Sequence, residues 1–485
     1  MVLLLSALLF AGLNRDAESL PGPAVHCFSF ELLSNTRYSI HSGFTDSLPT
    51  QVLANVLWAM DRVPRLGATR ECYVATRSNV YRFDPATSRL KLHAAGDLRY
   101  NSGSAFEVGV ACDRHEEAGM MVQAGLLAAT AFCDSLGPGV SACPMKWAAD
   151  HANSRWNPEH EILMVNVYGS AEVDGPDTLS VALSSDSSLP PPHVTGSDTF
   201  EVVLAGLENA ADLAGSDLSD ETVSQLLWAG YGVTPHITSN GRQGLTVPSA
   251  LAGYFLTGHI YVVRGQGVER YHCRRTDTDA VSRDHRLEPV LSGDRRPDLR
   301  EASDRLPAHA PLYIVVCVTD TTSYKTMQEA GFAAFQYLVQ ARCLGLAGSV
   351  TAPLPADEAA SIRKALRLSP SEHPVLVFAA GEPADAASTE KLPGAVEIVR
   401  ARPAIRPHER LRVEYLLRRP GPVQILVHDL LGRPIRQLLD ERQTAGYHSF
   451  IWDGTDASGQ RLSRKTVIVS VISSGTVAQH KVAVF

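Results

Sequence analysis

Residues 224–272 combine two spacings of apolar positions in one short stretch. The segment SQLLWAGY at 224–231 has the three- and four-residue spacing of an amphipathic helix. A Gly-rich loop follows, and the Pro248-Ser249 pair indicates the start of a second short helix. The run HIYVVRGQGVERY at 259–271 places apolar β-formers on both sides of a Gly-containing turn. The pattern therefore predicts a helix, a loop and a β-hairpin in that order.

Two further elements follow this stretch, and the first 180 residues contain a weaker copy of the whole pattern. EAGFAAFQYLVQARCLGLAG at 329–348 predicts a long buried helix, and HPVLVFAAGEP at 373–383 predicts a strand. An ordered repeat of this length indicates a duplicated domain rather than a solenoid unit. Five blocks of the first 180 residues match blocks of the later region in the same order: 51–63, 72–83, 88–99, 116–137 and 159–169.

The pattern changes at about Val396. Short runs there alternate apolar and polar residues between recurring turn signals such as Pro420-Gly421 and 456–459. This alternation is typical of an antiparallel β-sandwich, in which Trp452 is expected to be a core anchor.

Ser, Pro and Asp mark one linker, and a run of Ala, Pro and Glu marks a second. The predicted organisation is a leader, two related domains and a C-terminal sandwich. The boundaries are 1–19 for a signal peptide, 20–183 for the first domain, 184–198 for a linker, 199–382 for the second domain, 383–395 for a linker and 396–485 for the sandwich.

The composition limits the classes of function. With 485 residues, 45% hydrophobic and 20% charged, the chain is an ordinary globular protein of several domains. A net charge of -8 argues against a nucleic-acid binder. The eight cysteines lie mostly in apolar patterns, which favours small buried side chains over a disulfide framework. A Cys133–Cys143 pair stays open.

The run MVLLLSALLFAGL at 1–13 is too short to span a bilayer and resembles the core of a secretory signal peptide. No Lys or Arg precedes it and no A-x-A site follows it, so a buried N-terminal helix is the alternative. The first interpretation predicts an exported protein, which is periplasmic, secreted or at the cell surface. The second predicts a cytoplasmic one.

Several of these motifs together resemble the nitroreductase superfamily, and within it the azoline-dehydrogenase (SagB-type) branch. The resemblance covers about 200–382 and implies an α+β fold: two tandem nitroreductase-like α/β sandwich domains followed by the C-terminal sandwich. Members of the family are usually homodimers with flavin mononucleotide (FMN) at the shared interface. The duplicated domains are therefore expected to form an intrachain pseudodimer, in which docking is intramolecular. The motifs are LLWA at 226–229, Gly232, PSA at 248–250, IYVV at 260–263 and GVERY at 267–271.

The family holds the flavin phosphate with an R-x-S-x-R segment, because the guanidinium group binds phosphate oxygens in pairs. The resemblance places this segment at Arg37, Ser39 and His41, where His41 replaces the last arginine and brings no fixed charge. Alignment of Trp58 with Trp228 gives an offset of 170 (228 − 58). At that offset the second copy has side chains that cannot bind phosphate by charge, namely Leu207, Asn209 and Ala211.

The PSA-type loop shows the opposite loss. Pro248, Ser249 and Ala250 belong to the second copy, and the first copy has a shorter connection without this loop. Each flavin of the family dimer is held by the R-x-S-x-R segment of one subunit and the PSA-type loop of the other. The resemblance therefore implies one composite site and at most one FMN per chain.

Three other residues enter this expected site. Lys146, in the loop 138–147, is a candidate cationic partner of the flavin ring. Tyr254 is a candidate for the substrate face, with packing in the core as the alternative. Leu251 stands where the family has a glycine, and we expect it to crowd the approach of the backbone to the ring.

The C-terminal segment is similar to the Ig-like domain of flagellar hook-capping (FlgD-type) proteins over most of 404–485. The motifs are VHDLLGR at 427–433 and GYHSFIWDGTDASG at 446–459. Such domains often end exported or surface-attached bacterial proteins. Asp453 and Asp456 allow a calcium loop, but turn-forming residues are the commoner explanation, and no metal site is predicted.

The resemblance implies an FMN-dependent oxidoreductase with hydride transfer at flavin N5, in which the protein supplies binding, orientation and access. The alternative is an inactive protein of the same fold that serves as an exported binding or surface module. An exported enzyme would need an electron donor other than the cytoplasmic NAD(P)H pool. The expected partners are a small-molecule substrate and, through the C-terminal domain, a cell surface. Neither a nucleic acid nor a membrane span is expected, and the core is expected to be monomeric.

Overall fold

A computed structural model of the chain describes residues 18–484 except for 25, 27, 40–43, 46–47, 133–145, 172–187, 197, 239, 275–282, 385–395, 402–403, 406–409, 418–420, 430–431, 444–445, 464 and 474–475. Of the predicted signal segment 1–19, residues 1–17 lie outside the described residues. Within the described part, no helix has the length and apolar character needed to cross a membrane.

The helices and strands are numbered in chain order. The helices are α1 Phe30–Thr36, α2 Thr50–Arg62, α3 His115–Thr130, α4 Lys146–Arg155, α5 Phe200–Ala205, α6 Asp220–Tyr231, α7 Arg296–Ala302, α8 Tyr324–Cys343 and α9 Ala356–Ala365. The strands are β1 Glu18–Ser19, β2 Phe44–Thr45, β3 Arg70–Thr76, β4 Asn79–Asp84, β5 Arg89–Ala95, β6 Phe106–Cys112, β7 Ile162–Tyr168, β8 Ser170–Ala171, β9 Leu213–Ala214, β10 Val233–Ile237, β11 Gln243–Leu245, β12 Ile260–Arg264, β13 Gly267–His272, β14 Arg286–Ser292, β15 Leu312–Val318, β16 Ala347–Thr351, β17 His373–Pro383, β18 Val396–Ala401, β19 Ala404–Ile405, β20 Leu411–Leu417, β21 Gly421–Asp429, β22 Pro434–Gln443, β23 Gly446–Trp452, β24 Lys465–Ser473 and β25 Thr476–Val484.

The chain divides into two compact units. The first unit contains residues 1–24, 37–192 and 207–388, and the second contains 25–36, 193–206 and 389–485. Within the first unit, residues 37–192 are called the first half and residues 207–388 the second half.

Each half of the first unit contributes a sheet, and five successive strands follow the same order in both; β1, from the segment before the first half, extends the first sheet at one edge, and β16 extends the second at the other. The first sheet is β1-β5-β4-β3-β6-β7 and the second is β14-β13-β12-β15-β17-β16, with β9 added at the end of β17. In each sheet, the first strand of a three-strand meander also pairs with the next strand after the meander. Strand β3 of the meander β3–β5 pairs with β6, and β12 of the meander β12–β14 pairs with β15. The central strands β6 and β15 are buried at every position, whereas the outer strands β5 and β14 are largely exposed. The central strands are therefore covered on both faces.

Helices α3 and α8, one from each half, cross at a pair of glycines. A Cβ atom at Gly119 would collide with the carbonyl oxygen of Gln328, and one at Gly331 would collide with that of Glu116. The two contacts are reciprocal, because the two glycines are 212 residues apart (331 − 119) and the two residues whose carbonyls they meet are also 212 apart (328 − 116). Absence of a side chain at these two positions is what permits the close approach.

The predicted hairpin is confirmed. Strands β12 and β13 pair from Tyr261↔Arg270 to Arg264↔Gly267, which leaves a two-residue turn at Gly265-Gln266. The predicted long helix exists but is shifted, since α8 ends at Cys343 and Ala347 already begins β16. Gly345 explains the stop, because its φ of 74° belongs to the left-handed conformation that terminates helices.

Four of the described cysteines confirm the expectation of buried thiols. Cys72, Cys112, Cys273 and Cys317 are buried, and burial raises the pKa of Cys72 and of Cys112 to about 12. The possible Cys133–Cys143 pair lies outside the described residues.

The second unit, taken by itself, contains two sheets with a common core. They are β19-β25-β24-β21-β22 and β18-β20-β23, and their apolar sides meet in one cluster. Trp452 is 1% exposed and its Nε1 donates to the carbonyl oxygen of Thr455 at 2.9 Å, which confirms it as a core anchor. Helices α1 and α5 belong to this unit, where the rings of Phe30 and Phe200 stack at 6.5 Å between centroids.

The aspartates after Trp452 act in turns. Asp453 Oδ1 accepts from the Thr455 N–H at 3.2 Å, and Asp456 Oδ1 accepts from the Ser458 and Gln460 N–H groups at 2.9 Å each. These are Asx-type hydrogen bonds, which agrees with the turn interpretation.

Candidate functional site

The site centres on Arg37, which lies in the first half and contacts the second. Its side chain is buried, with the residue 3% exposed. Nη2 donates to the carbonyl oxygen of Leu245 at 3.4 Å, and Nη1 donates to Ser39 Oγ at 3.4 Å. Leu245 ends β11 and lies three residues before Pro248, so the structure brings the predicted arginine close to the predicted loop.

A second buried arginine reaches the same strand. Arg274 is 1% exposed, and its Nη2 donates to the carbonyl oxygen of Gln243 at 2.6 Å. On either side of β11, the Arg242 carbonyl accepts from the Thr238 N–H, and the Thr246 N–H donates to the Gly232 carbonyl, so both groups face the β10 side. The carbonyls of Gln243 and Leu245 therefore point to the opposite edge, because backbone groups alternate along a strand. Both guanidinium groups meet that edge.

Tyr254 joins the two arginines. It is 5% exposed, its hydroxyl accepts from the Leu245 N–H at 3.3 Å, and its ring lies 4.9 Å from Arg274 Cζ. Burial raises the pKa of Tyr254 to about 12, although the charges of Arg37 and Arg274 oppose the shift. The phenol therefore stays protonated at neutral pH and makes a cation–π contact with Arg274.

His236 adds a neutral polar group. It is 7% exposed, and its Nδ1 lies 2.7 Å from Thr234 Oγ1. Burial and the charge of Arg37 lower the pKa of His236 to about 3, so the imidazole is uncharged at neutral pH. The fixed positive charge of the site therefore comes from the arginines.

The loop before Pro248 receives a donor from each half. The carbonyl oxygen of Thr246 accepts from Gln123 Nε2 of α3 at 3.3 Å and from Gln336 Nε2 of α8 at 3.1 Å. Pro248 is buried and Ala250 half-buried. Ser249 uses its hydroxyl within the protein, since it accepts from the Tyr254 N–H at 2.7 Å and donates to Glu329.

The segment after Ala250 has an unusual backbone. Instead of a second α-helix there is a 3-10 turn at Ala250–Ala252, and φ is positive at Leu251 (54°), Ala252 (50°) and Tyr254 (50°). Two side chains hold it: Asn240 Nδ2 donates to the Leu251 carbonyl at 2.8 Å, and Arg242 Nη1 donates to the Ala252 carbonyl at 3.1 Å. Leu251 thus adopts a conformation that glycine takes readily, with its side chain 79% exposed.

Other predicted residues lie elsewhere or outside the description. His41, the loop 138–145 and the side chain of Lys146 are outside the described residues, although Lys146 begins α4. Asn209, the counterpart of Ser39, bonds to the backbone of Val350 through both ends of its amide, at 2.6 and 3.1 Å.

Sequence reasoning missed Arg274 and His236. Arg274 follows β13 and His236 lies within β10, and tertiary contacts with Gln243 and Gly244 of β11, rather than sequence spacing, bring them together. The available signal was the polar pair Arg274-Arg275 directly after an apolar hairpin.

One group of possible metal ligands lies outside this site. Within the described part of the chain, Glu71, Glu159 and His160 bring ligand atoms close together on the first sheet. Arg82 donates to Glu71 at 2.5 Å and to Glu159 at 2.9 Å. A cation therefore already lies between these carboxylates.

Comparison with known proteins gives one family match. Residues 213–382 match the family model described as the nitroreductase family, and these residues carry a nitroreductase family domain. No curated protein matches the chain.

Solved structures give similarities at low identity. A protein assigned as a nitroreductase from Anabaena variabilis ATCC 29413 is 10% identical, with 73% of this chain and 100% of that chain covered and a TM-score of 0.45. One from Ralstonia eutropha JMP134 is 23% identical over 44% of this chain and 97% of its own, with a TM-score of 0.34. FlgD from P. aeruginosa is 20% identical over 18% of this chain and 68% of its own, with a TM-score of 0.14.

Proposed function

We propose that this protein is an FMN-dependent oxidoreductase of nitroreductase or azoline-dehydrogenase type, with one composite flavin site per chain. The observation that carries the proposal is the contact of buried Arg37, from the first half, with Leu245 beside the Pro248 loop of the second half. The second half is also the part that matches the nitroreductase family.

The proposal includes an internal duplication that forms a pseudodimer. Two observations support it: the strand order that the two sheets share over five strands, and the reciprocal glycine contacts between α3 and α8. A symmetric dimer interface places equivalent groups against each other in this way.

The chemistry of the donor set fits FMN. A phosphate dianion needs fixed positive charge and several N–H donors, and two buried guanidinium groups supply both. Arg37 and Arg274 would hold the phosphate, with Ser39 as a neutral donor. The backbone around Pro248 and Ala250 would border the ring, while Ser249 fixes the loop through its bonds to Glu329 and the Tyr254 N–H.

Bound flavin supplies hydride exchange at its N5 atom, and the chain supplies position and shelter. Tyr254, with its pKa raised to about 12 by burial, keeps its proton and serves as a fixed wall rather than a base. His236, with its pKa lowered to about 3, likewise stays neutral. Tyr254 therefore adds no negative charge that would oppose the phosphate, and His236 adds no positive charge to that of the arginines.

The asymmetry of the halves supports a single site. The first half has Arg37 but no PSA-type loop, and the second half has the loop but Leu207 where Arg37 would be. Only one combination of the two parts is complete, so at most one FMN is expected per chain.

The first experiment is an absorbance spectrum of the purified protein, followed by titration with FMN. We expect about one flavin per chain in the wild type. In Arg37→Ala, loss of a charge-assisted hydrogen bond of about 2–3 kcal/mol should weaken FMN binding by about 30- to 150-fold.

The matched control is Arg89→Ala. Arg89 is an exposed arginine of the first half that bonds to Ser19 Oγ at 3.1 Å, and its loss should leave FMN affinity unchanged. Asn209 cannot bind phosphate by charge, but its bonds to Val350 make it a packing residue and a poor control. Equal losses of affinity in both arginine variants would contradict the site.

A second candidate function is a non-catalytic binding or surface module. The replacement of the family's arginine by His41 and of its glycine by Leu251 favours it. Protein that takes up no FMN even in excess would make this function the better one. Both proposals take residues 396–485 to be an Ig-like attachment domain of an exported protein. On the first proposal, the electron donor of the exported enzyme would then not be the cytoplasmic NAD(P)H pool.

A further inference from the structure

We propose that Glu329 is a positioning residue that fixes the segment Ser249–Leu256 against the candidate site. Its role toward a cofactor rests on the proposed function, whereas its role in holding the segment does not.

Glu329 lies on α8 and is 1% exposed. Its Oε1 accepts from the Tyr231 hydroxyl and from the Leu256 N–H, the latter at 3.1 Å, and its Oε2 accepts from the Ser249 hydroxyl. Ser249 and Leu256 are the two ends of the segment, and Tyr231 ends α6. One carboxylate therefore ties both ends of the segment to two helices.

The segment needs such a tie. Leu251, Ala252 and Tyr254 have positive φ, a conformation that non-glycine residues keep only when their surroundings impose it. The same conformation places the Tyr254 hydroxyl on the Leu245 N–H and the Tyr254 ring beside Arg274. Glu329 thus positions Tyr254, which in turn contacts Arg274, whereas Glu329 itself does not contact either arginine.

The first half contains the counterpart of this residue, which provides an internal comparison. Glu117 precedes Gly119 as Glu329 precedes Gly331, and it also holds the connection between helix and hairpin. It accepts from the Leu66 and Gly67 N–H groups at 3.0 and 2.8 Å, and from Arg70 Nε at 2.6 Å. Glu117 therefore faces a cation, whereas Glu329 is bonded to neutral donors.

This difference makes the Glu329 segment sensitive to pH. Burial raises the pKa of Glu329 to about 7, and its donors Ser249 and Tyr231 only partly oppose the shift. The titratable groups that face it are Tyr231 from α6 and Tyr254 from the segment, with Cys273 beside Tyr231. Burial raises the pKa of both tyrosines, so neither changes charge near pH 7.

The sign follows from linkage. The closed segment holds the proton of Glu329 more tightly than the open segment, in which the carboxyl meets water and has its ordinary pKa near 4.5. Opening is therefore hardest at low pH and becomes easier as pH rises toward 7, by at most about tenfold per pH unit, and then levels off. Ionised Glu329 still accepts all three hydrogen bonds but bears the cost of burial.

The test is hydrogen exchange of the flavin-free, full-length protein between pH 5.5 and 8, expressed as protection relative to the intrinsic rate at each pH. In the wild type, protection of 250–258 should fall by about tenfold or more between pH 5.5 and 8. Protection of 65–70, which Glu117 holds, should stay constant. In Glu329→Gln, a neutral isostere, protection of 250–258 should lose its pH dependence and exceed the wild-type value at pH 8.

FMN titration of the same variants completes the test. Glu329→Ala should lose protection at 250–258 and bind FMN at least tenfold more weakly, whereas Glu329→Gln should bind it as the wild type does. A flat wild-type profile, or unchanged protection in Glu329→Ala, would overturn the inference. If Glu329→Ala does not fold, the wild type and Glu329→Gln decide the matter. Normal exchange behaviour without any FMN binding would refute the proposed function alone.

Discussion

Burial determines which side chains near the β11 edge carry charge at neutral pH. Arg37 and Arg274 are both buried, yet arginine keeps its proton in proteins under all ordinary conditions. His236 in the same place loses its charge, because burial and the charge of Arg37 lower its pKa to about 3. Among the described residues, the site therefore has fixed cations and no titratable cation, so phosphate affinity should vary little with pH through these residues.

Leu251 provides a prediction at this scale. Its φ of 54° strains any residue with a Cβ atom, and its exposed side chain contributes little packing. We expect Leu251→Gly to raise the free energy of unfolding by about 0.5–1 kcal/mol, since relief of the strain exceeds the entropy cost of glycine.

Urea unfolding measures the change, and Leu251→Ala is the control. Alanine keeps the Cβ atom and its strain, so it should show no gain in stability. A glycine variant that is less stable than the alanine variant would mean that the entropy cost of glycine exceeds the strain that it relieves.

The elements themselves show what sequence reasoning can and cannot reach. Apolar spacing at 224–231 and 259–271 was enough for α6 and for the hairpin β12–β13, because those patterns follow local geometry. The strand pair β10–β11 was not predicted, since the strands VTPHI and QGL are short and contain Pro235 and Gly244, which are unfavourable inside strands. For that reason Arg37 could be assigned to the site from its motif, whereas Arg274 could not.

The same limit explains the shape of the PSA loop. Pro248 and Ser249 indicated a helix start, but the hydrogen bonds of Ser249, Asn240 and Arg242 direct the backbone into left-handed conformations instead. Such side-chain to backbone bonds compete with helix formation and are not visible in apolar spacing.

The helix crossing provides a prediction at the scale of elements. A methyl group at Gly119 would meet the backbone of Gln328, which cannot move aside as a side chain can. Gly119→Ala should therefore lower the free energy of unfolding by about 1–3 kcal/mol through overpacking.

Gly22→Ala is the matched control, because nothing lies within 4 Å of a Cβ atom at that position. Both variants can be compared by urea unfolding. Equal stabilities would show that α3 and α8 separate easily, which would also weaken the case for a fixed arrangement of the two halves.

At the scale of the whole molecule, the arrangement of the halves predicts the oligomeric state. If the halves form the proposed pseudodimer, the surfaces that would join two subunits are already in contact within one chain, through α3, α8 and the Thr246 carbonyl. We expect a monomer in solution that binds at most one FMN.

Light scattering coupled to size exclusion tests this expectation, on the full chain and at several concentrations. An obligate dimer that forms through the first unit would contradict it. A dimer that is lost when residues 396–485 alone are altered would instead locate the association in the second unit.

The reciprocal contact of Gly119 and Gly331 also has a consequence for how such a chain can change over generations. In two identical subunits, one mutation alters both glycines of the crossing at once. Here each glycine has its own codon, yet each is still required by the helix opposite. Selection on these two positions therefore stays coupled while the rest of each half is free to diverge, and the two halves can specialise in different tasks without losing their common alignment.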